Sequence, residues 1–151
     1  APRNYDLNAV TADPAVMETY LRARVTGSSS VEEALFEAVK ETLIFTPTPA
    51  ATRAASIRML ARVPGVTVTE NTTDPKGRPA TKVAFVDEQH RPGVVNAIYL
   101  DPATTQLVAE LRTQNGQPYY TCIYTERRIV KSLPDDIIKT LGADRIEKSI
   151  P

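Results

Sequence analysis

The sequence holds one cysteine, Cys122, and one histidine, His90, in 151 residues. A single cysteine excludes an intramolecular disulfide; it fits a reducing compartment and is also compatible with an exported one. With one His and one Cys, a zinc site would need several carboxylates to complete it, and none of the usual ligand spacings is present, so no metal is expected. No P-loop or dinucleotide fingerprint occurs, so no cofactor is expected either. Net charge is missing as well, since 18 basic residues balance 18 acidic ones. A nucleic-acid protein normally carries a basic stripe, and nucleic acid is not an expected partner. No run approaches the roughly 18 apolar residues of a membrane span, and there is no signal-peptide pattern. The opening Ala1-Pro2-Arg3 lacks Met, which fits either a removed export signal or anchor, or a trimmed initiator Met. Glycine is scarce, at six against twelve prolines, a balance that stiffens loops.

What is present reads as one globular domain. The apolar share is 42% and the charged share 24%, both ordinary. A chain of this length buries about 70% of the surface exposed when unfolded. Its first third has helical periodicity. Asp13-Pro14 starts a helix with Val16, Met17, Tyr20 and Leu21 on one face, ended by Gly27. Ser30-Val31-Glu32-Glu33 is a capping box, opening a second helix striped by Val31, Leu35, Phe36, Val39 and Leu43. Thr48-Pro49 opens a third, with Ala54, Ile57, Leu60 and Ala61 together, and Pro64-Gly65 stops it.

From Val66 onward the period becomes two. Strands are expected at Val66–Thr69, Thr81–Val86, Val94–Leu100, Gln106–Arg112 and, longest, Tyr119–Val130. Asp74-Pro75-Lys76-Gly77 marks a turn, and Asn115-Gly116 is the strongest hairpin signal. In "IYLDPATTQLVAELR", residues 98–112, Asp101 can bond its own turn backbone and Pro102 presets the corner. Leu133–Leu141 reads as a short helix closed by Gly142. The expected fold is α+β, with about three N-terminal helices packed on one face of a four- to five-stranded antiparallel meander. Residues 1–133 form the domain, and 134–151 a short helix and loose tail.

Chemistry-bearing residues read blandly. His90 lies in a polar loop without a neighbouring nucleophile, and Cys122 sits mid-strand as a small buried residue. The adjacent carboxylates Glu32-Glu33 and Asp135-Asp136 point different ways on a helix and suit its first turn. Arg53, Arg58, Arg62 and the pair Arg127-Arg128 read as solvated charge. Asn71-Thr72-Thr73 matches a glycosylation acceptor. No catalytic constellation emerges, and an enzyme is not expected. The tyrosines Tyr99, Tyr119, Tyr120 and Tyr124 have two readings: a ligand or interface surface on one side of a concave sheet, or cross-strand packing.

"PTPAATRAASIRMLARVPGVTV", residues 47–68, followed by "DPKGRPATKVAF" and "AIYLDPATTQLVAELR", resembles a family of actinobacterial membrane proteins. Their genes typically neighbour extracytoplasmic-function sigma factors. The shared pattern is a Pro-initiated Ala/Arg-rich helix ending at Val63-Pro64-Gly65-Val66, the Asp74–Arg78 turn, and the hairpin Leu100-Asp101-Pro102-Ala103-Thr104. "TADPAVMETYLRAR" resembles the family's upstream helix. The match covers roughly residues 7–130. The family commonly has Gly where Thr105 stands; a β-branched residue in a left-handed conformation there would cost about 1–2 kcal/mol. The resemblance implies a membrane anchor and several strands ahead of this region, so that the chain would be the distal part of an exported, extracytoplasmic domain. It carries over no catalytic or binding residues. Two functions follow as expectations: a non-enzymatic sensor or interaction domain tied to sigma-factor regulation, or a binding module holding a lipid or other apolar ligand between sheet and helices. An open sheet edge at Tyr119–Val130 is expected to pair with another protein or a second copy.

Overall fold

The computed structural model describes residues 4–127, 132 and 134–141. A 3-10 turn, Leu7–Ala9, precedes helix α1 (Pro14–Arg22). Asp13 caps α1, its carboxylate accepting from the N–H groups of Ala15 and Val16 at 2.9 and 3.0 Å. The helix stops at Arg22, short of the expected Gly27, which instead joins Ser28 in a left-handed turn at φ +83° and +61°. Helix α2 (Val31–Phe45) begins where Ser30 Oγ accepts from the Glu33 N–H at 3.1 Å. The returning half of the capping box reaches one residue further back. Glu33 accepts from the Ser29 N–H and Oγ–H at 2.7 and 2.6 Å.

Helix α3 (Ala50–Leu60) follows Pro49. Its buried face is Thr52, Ala55, Ser56, Met59 and Leu60, not the stripe through Ala54, Ile57 and Ala61. Only Leu60 belongs to both. The rotation follows from packing, because α3 contacts both α1 and α2 and the side it buries is the one those neighbours and the core enclose. Val31, expected in the α2 stripe, is exposed at the helix start.

Five strands follow: β1 (Val66–Thr73), β2 (Pro79–Val86), β3 (Val94–Leu100), β4 (Leu107–Gln114) and β5 (Gln117–Ile123). They form one antiparallel sheet in chain order β1-β2-β3-β4-β5. The fold is therefore α+β, three helices packed with an open five-stranded antiparallel sheet. Directly paired residues share a sheet face. Val83, Phe85, Ile98, Leu100 and Leu107 join Met17, Leu21, Leu35, Phe36, Val39, Met59 and Leu60 in the main core. Phe36 stacks on Phe85 with ring centroids 5.6 Å apart. The other face carries a smaller cluster of Ala80, Ala97, Tyr99 and Ala109.

Turn chemistry fixes the register. Asn115 and Gly116, both at positive φ, close β4 to β5 as a two-residue hairpin. Asp101 accepts from the N–H groups of Ala103 and Thr104 at 2.8 and 3.0 Å. Thr105 occupies the left-handed region at φ +57°. Arg53 is not solvated charge: it donates to Thr104 O at 2.6 and 3.1 Å, to Thr105 Oγ1 at 3.3 Å and also to Thr48 O, so α3 grips the β3–β4 hairpin. Arg58 is exposed, and Arg62 approaches Glu18 at 4.0 Å.

β5 ends at Ile123, not at Val130. Two guanidinium groups turn the chain away from the ladder: Arg78 takes the Tyr124 carbonyl at 3.1 Å, and Arg127 donates to Ile44 O at 2.6 Å. Arg127 is thus a tie to α2 rather than solvated charge. The expected strand residues 128–130, including Arg128, lie outside the described residues, as do Leu133, the helix-closing Gly142 and the tail beyond. Helix α4 (Asp135–Leu141) opens with Asp135 and Asp136 in its first turn. Among the described residues no helix is long and apolar enough to cross a membrane.

Candidate functional site

The strand register distributes the four tyrosines over different surroundings. Tyr99 pairs with Lys82 and Ala109 and is buried in the outer-face cluster. Tyr120 pairs with Arg112, which in turn pairs with Asn96, on the helix-facing side. Tyr119 is the extra residue of a bulge between the Thr113–Pro118 and Arg112–Tyr120 pairs. Tyr124, just past β5, is half-buried against the main core. Only Tyr119 and Tyr120 are exposed, at 57% and 44%. The sheet edge therefore presents two tyrosines; Tyr124 stands behind them and Tyr99 lies on the opposite face.

Behind this edge runs a seam of charged side chains between α2 and strands β3–β5, which the sequence reading missed. Lys40 and Glu110 are almost fully buried. The Lys40 ammonium lies 2.6 Å from Glu37 Oε2 and 3.9 Å from Glu110 Oε1. Glu37 also accepts from Asn96 Nδ2 at 2.6 Å and faces Arg112 at 3.8 Å. Glu110 accepts from the Tyr124 hydroxyl at 2.9 Å. Arg112 stacks over the Tyr120 ring at 5.5 Å, and Arg127 over Tyr124 at the same distance.

Phenol acidity responds to this seam. Burial, then hydrogen bonds with Glu110 and Cys122, push the Tyr124 hydroxyl far above the ordinary phenol range. The Glu110 charge, with burial behind it, raises Tyr120. Tyr99 is raised by burial and by the charge of Asp74. All three are held neutral, as hydrogen-bonding and packing groups. Cys122 is half-buried rather than enclosed and sits opposite Glu110 on β4.

A second ion pair closes one end of the sheet. Arg78 donates to Asp74 Oδ2 at 2.6 Å, to Val108 O at 2.9 Å and to Tyr124 O at 3.1 Å. Burial raises the Asp74 carboxyl, but the donors of Arg78 and Lys76 outweigh it and hold it below the ordinary carboxylate range. Glu33 behaves likewise, with Ser29 and Arg91 outweighing burial.

The remaining candidates lie apart. His90 Nδ1 contacts Asp87 at 2.9 Å within the exposed β2–β3 loop. Asn71 of the glycosylation-like triplet is exposed at φ +55°, in the irregularity between Thr69 and Thr72. Among the described residues no three His, Cys, Asp or Glu side chains converge as metal ligands. One depression of about 570 Å³ adjoins the C-terminus of α2, lined by residues including Leu43, Ile44, Arg53, Gln106 and Arg127. A smaller one, about 250 Å³, lies along the seam between Glu33, Glu37, Asn96, Arg112 and Tyr119.

The seam was legible only in hindsight of pairing. Lys40 lies four residues after Phe36, in phase with the apolar stripe of α2, and Glu110 falls in the inward phase of β4. That phase is set by a bulge at Leu100 and Leu107, which alternation in the sequence does not mark. Comparison of the chain with protein-family models, with curated proteins and with solved structures finds no match.

Proposed function

We propose that this chain is a non-enzymatic extracytoplasmic sensor or interaction domain, and that it works through the open β5 edge. The observation that supports this reading most is the edge itself. Among the described residues β5 has β4 on one side and no strand on the other, and it exposes Tyr119 and Tyr120. Amphipathic aromatic rings beside unpaired backbone suit addition of another strand. The seam of Lys40, Glu37, Glu110 and Arg112 supplies a firm backing for such a surface.

In the wider setting implied by the resemblance, the domain belongs to a membrane-anchored protein linked to sigma-factor regulation, with the anchor supplied by a segment outside this chain. The alternative, a lipid or apolar-ligand module, needs an apolar groove between sheet and helices. There the main core is filled by Phe36, Met59, Phe85 and Ile98, and the nearest depression is rimmed by charged residues. These features favour the interaction domain.

The test is genetic and topological. In the organism that carries the gene, its deletion is expected to change transcription from the promoters of a neighbouring sigma factor. Re-expression of the edge variant Thr121→Lys is expected to mimic the deletion. Unchanged transcription in the deletion, or protection of the domain from protease added to cells whose envelope is opened, would sink this reading.

A further inference from the structure

We propose that the depression between α2 and the β3–β4 pair captures the amino terminus of a peptide, holding its ammonium on Asn96 Oδ1 and its first carbonyl on Arg112 Nε–H. The site lies behind the β5 edge and does not depend on a strand being added there.

Two buried polar atoms carry the proposal. Asn96 is only 7% exposed, and its Nδ2 donates to Glu37 Oε1 at 2.6 Å. A carboxylate only accepts, so this contact fixes the amide with Oδ1 at its other end. Among the described residues neither Asn96 Oδ1 nor Arg112 Nε has a hydrogen-bond partner, although both atoms are buried. The rest of the Arg112 guanidinium is engaged, with Nη2 facing Glu37 at 3.8 Å and the plane over Tyr120 at 5.5 Å. Asn96 and Arg112 are direct cross-strand neighbours on β3 and β4, and both line the depression of about 250 Å³. Buried polar atoms are nearly always hydrogen-bonded. An acceptor and a donor side by side in a cavity specify an occupant that offers a donor and an acceptor in return.

The surrounding charges choose the sign of that occupant. Glu33, Glu37, Glu41 and Asp87 line the depression against Arg91 and Arg112, four acids to two bases, an excess of two negative charges. Lys40 and Glu110 behind them cancel. The field there favours a cation. A lysine or arginine side chain offers donors alone and leaves Arg112 Nε unpaired. A carboxylate or phosphate brings acceptors with the wrong sign. A water serves both atoms but fills little of the space, its own share being about 30 Å³. A peptide amino terminus meets each condition. It is cationic, and its first carbonyl oxygen lies about 3 Å from its ammonium nitrogen. Phe85 and Val94 give the first side chain an apolar wall, and Tyr119 an aromatic rim. The volume falls below the roughly 300 Å³ at which pockets begin to enclose whole ligands, so it suits one terminal residue of a longer chain. Capture of an amino terminus is a recurring mode of peptide recognition.

Nuclear magnetic resonance of the isotope-labelled 151-residue chain reads the site directly, through the Arg112 Nε–H signal and the Asn96 side-chain amide. L-Valinamide carries both the ammonium and the carbonyl. It is expected to shift both signals and to saturate with a Kd on the order of 1 mM, a usual strength for so few atoms. N-acetyl-L-valinamide lacks the ammonium and isobutylamine lacks the carbonyl; each is expected to bind about tenfold more weakly. L-Valine places a second, negative charge among the carboxylates and is expected to bind about fivefold more weakly. Asn96→Leu and Arg112→Met are each expected to lose about tenfold in affinity for L-valinamide while keeping the circular dichroism of the parent. The Arg112 side chain is 36% exposed, so its variant tests the site even where Asn96→Leu does not fold. No shift at either signal up to about 20 mM L-valinamide overturns the proposal. Equal binding of N-acetyl-L-valinamide or L-valine, or full affinity in Arg112→Met, does the same. So does a crystal soaked in L-valinamide that shows only water between Asn96 and Arg112.

Discussion

Thr105 holds a backbone conformation that its side chain disfavours, at φ +57°. Two contacts offset the strain: its hydroxyl donates to Thr104 O at 2.6 Å and accepts from Arg53 at 3.3 Å. Asparagine tolerates the left-handed region better than a β-branched residue. Thr105→Asn is expected to stabilise the protein by about 0.5 kcal/mol in urea unfolding. Asp74 presents the opposite case, a fully satisfied buried carboxylate. Its folded pKa lies below the ordinary value, so the unfolded chain binds its proton first as pH falls. The stabilisation is complete above the unfolded pKa, about 3.9, and is lost as pH drops through the folded value. Asp74→Asn is expected to lower stability at pH 7 and to flatten the decline below about pH 4, as read from unfolding midpoints across that range.

At the scale of elements, α2 is the helix that carries charge into the helix–sheet interface. Lys40 neutralises two carboxylates on two different elements, Glu37 on its own helix and Glu110 on β4. Removing only the cation leaves buried charge unpaired, which costs about 3 kcal/mol in comparable cases. Lys40→Met is expected to lose about that much. Lys40→Met combined with Glu110→Gln is expected to recover a large part of it, since the amide still accepts from Tyr124; a denaturant double-mutant cycle measures the coupling. Elements of this kind mark the boundary of what the sequence discloses. The Asp13, Ser30, Asp101 and Asn115-Gly116 signals each place a cap or turn, because capping and hairpin chemistry is local. Packing phase is not local. The buried side of α3 depends on where α1 and α2 lie, and the inward position of Glu110 depends on a bulge. Likewise β5 stops at Ile123 because Arg78 and Arg127 hold the chain beyond it through contacts that span 46 and 83 residues of sequence, a competition invisible in a β-rich run.

Across the whole molecule, Arg78 joins parts that the strand order keeps separate. From the β1–β2 turn it reaches the carbonyls of Val108 at the start of β4 and Tyr124 after β5. One guanidinium thereby ties one end of the sheet across β3. Lysine cannot reproduce that fork of donors. Arg78→Lys is expected to destabilise the protein by about 2 kcal/mol. It is also expected to speed hydrogen exchange at the Tyr124 amide more than at amides in β2 or β3, where neighbouring strands protect both sides.

Because strand order follows chain order, every pairing in the sheet closes a short loop. The four connections, at residues 74–78, 87–93, 101–106 and 115–116, run from two to seven residues. Closure entropy grows so slowly with length that the longest costs about 1 kcal/mol more than the shortest. Local pairing of this sort favours fast folding. The two-residue link belongs to β4 and β5. Of the two edge strands among the described residues, β1 and β5, β5 is therefore the one with the shorter path back when it frays. A partner arriving at that edge meets β5 already in place far more often than a long final loop would allow.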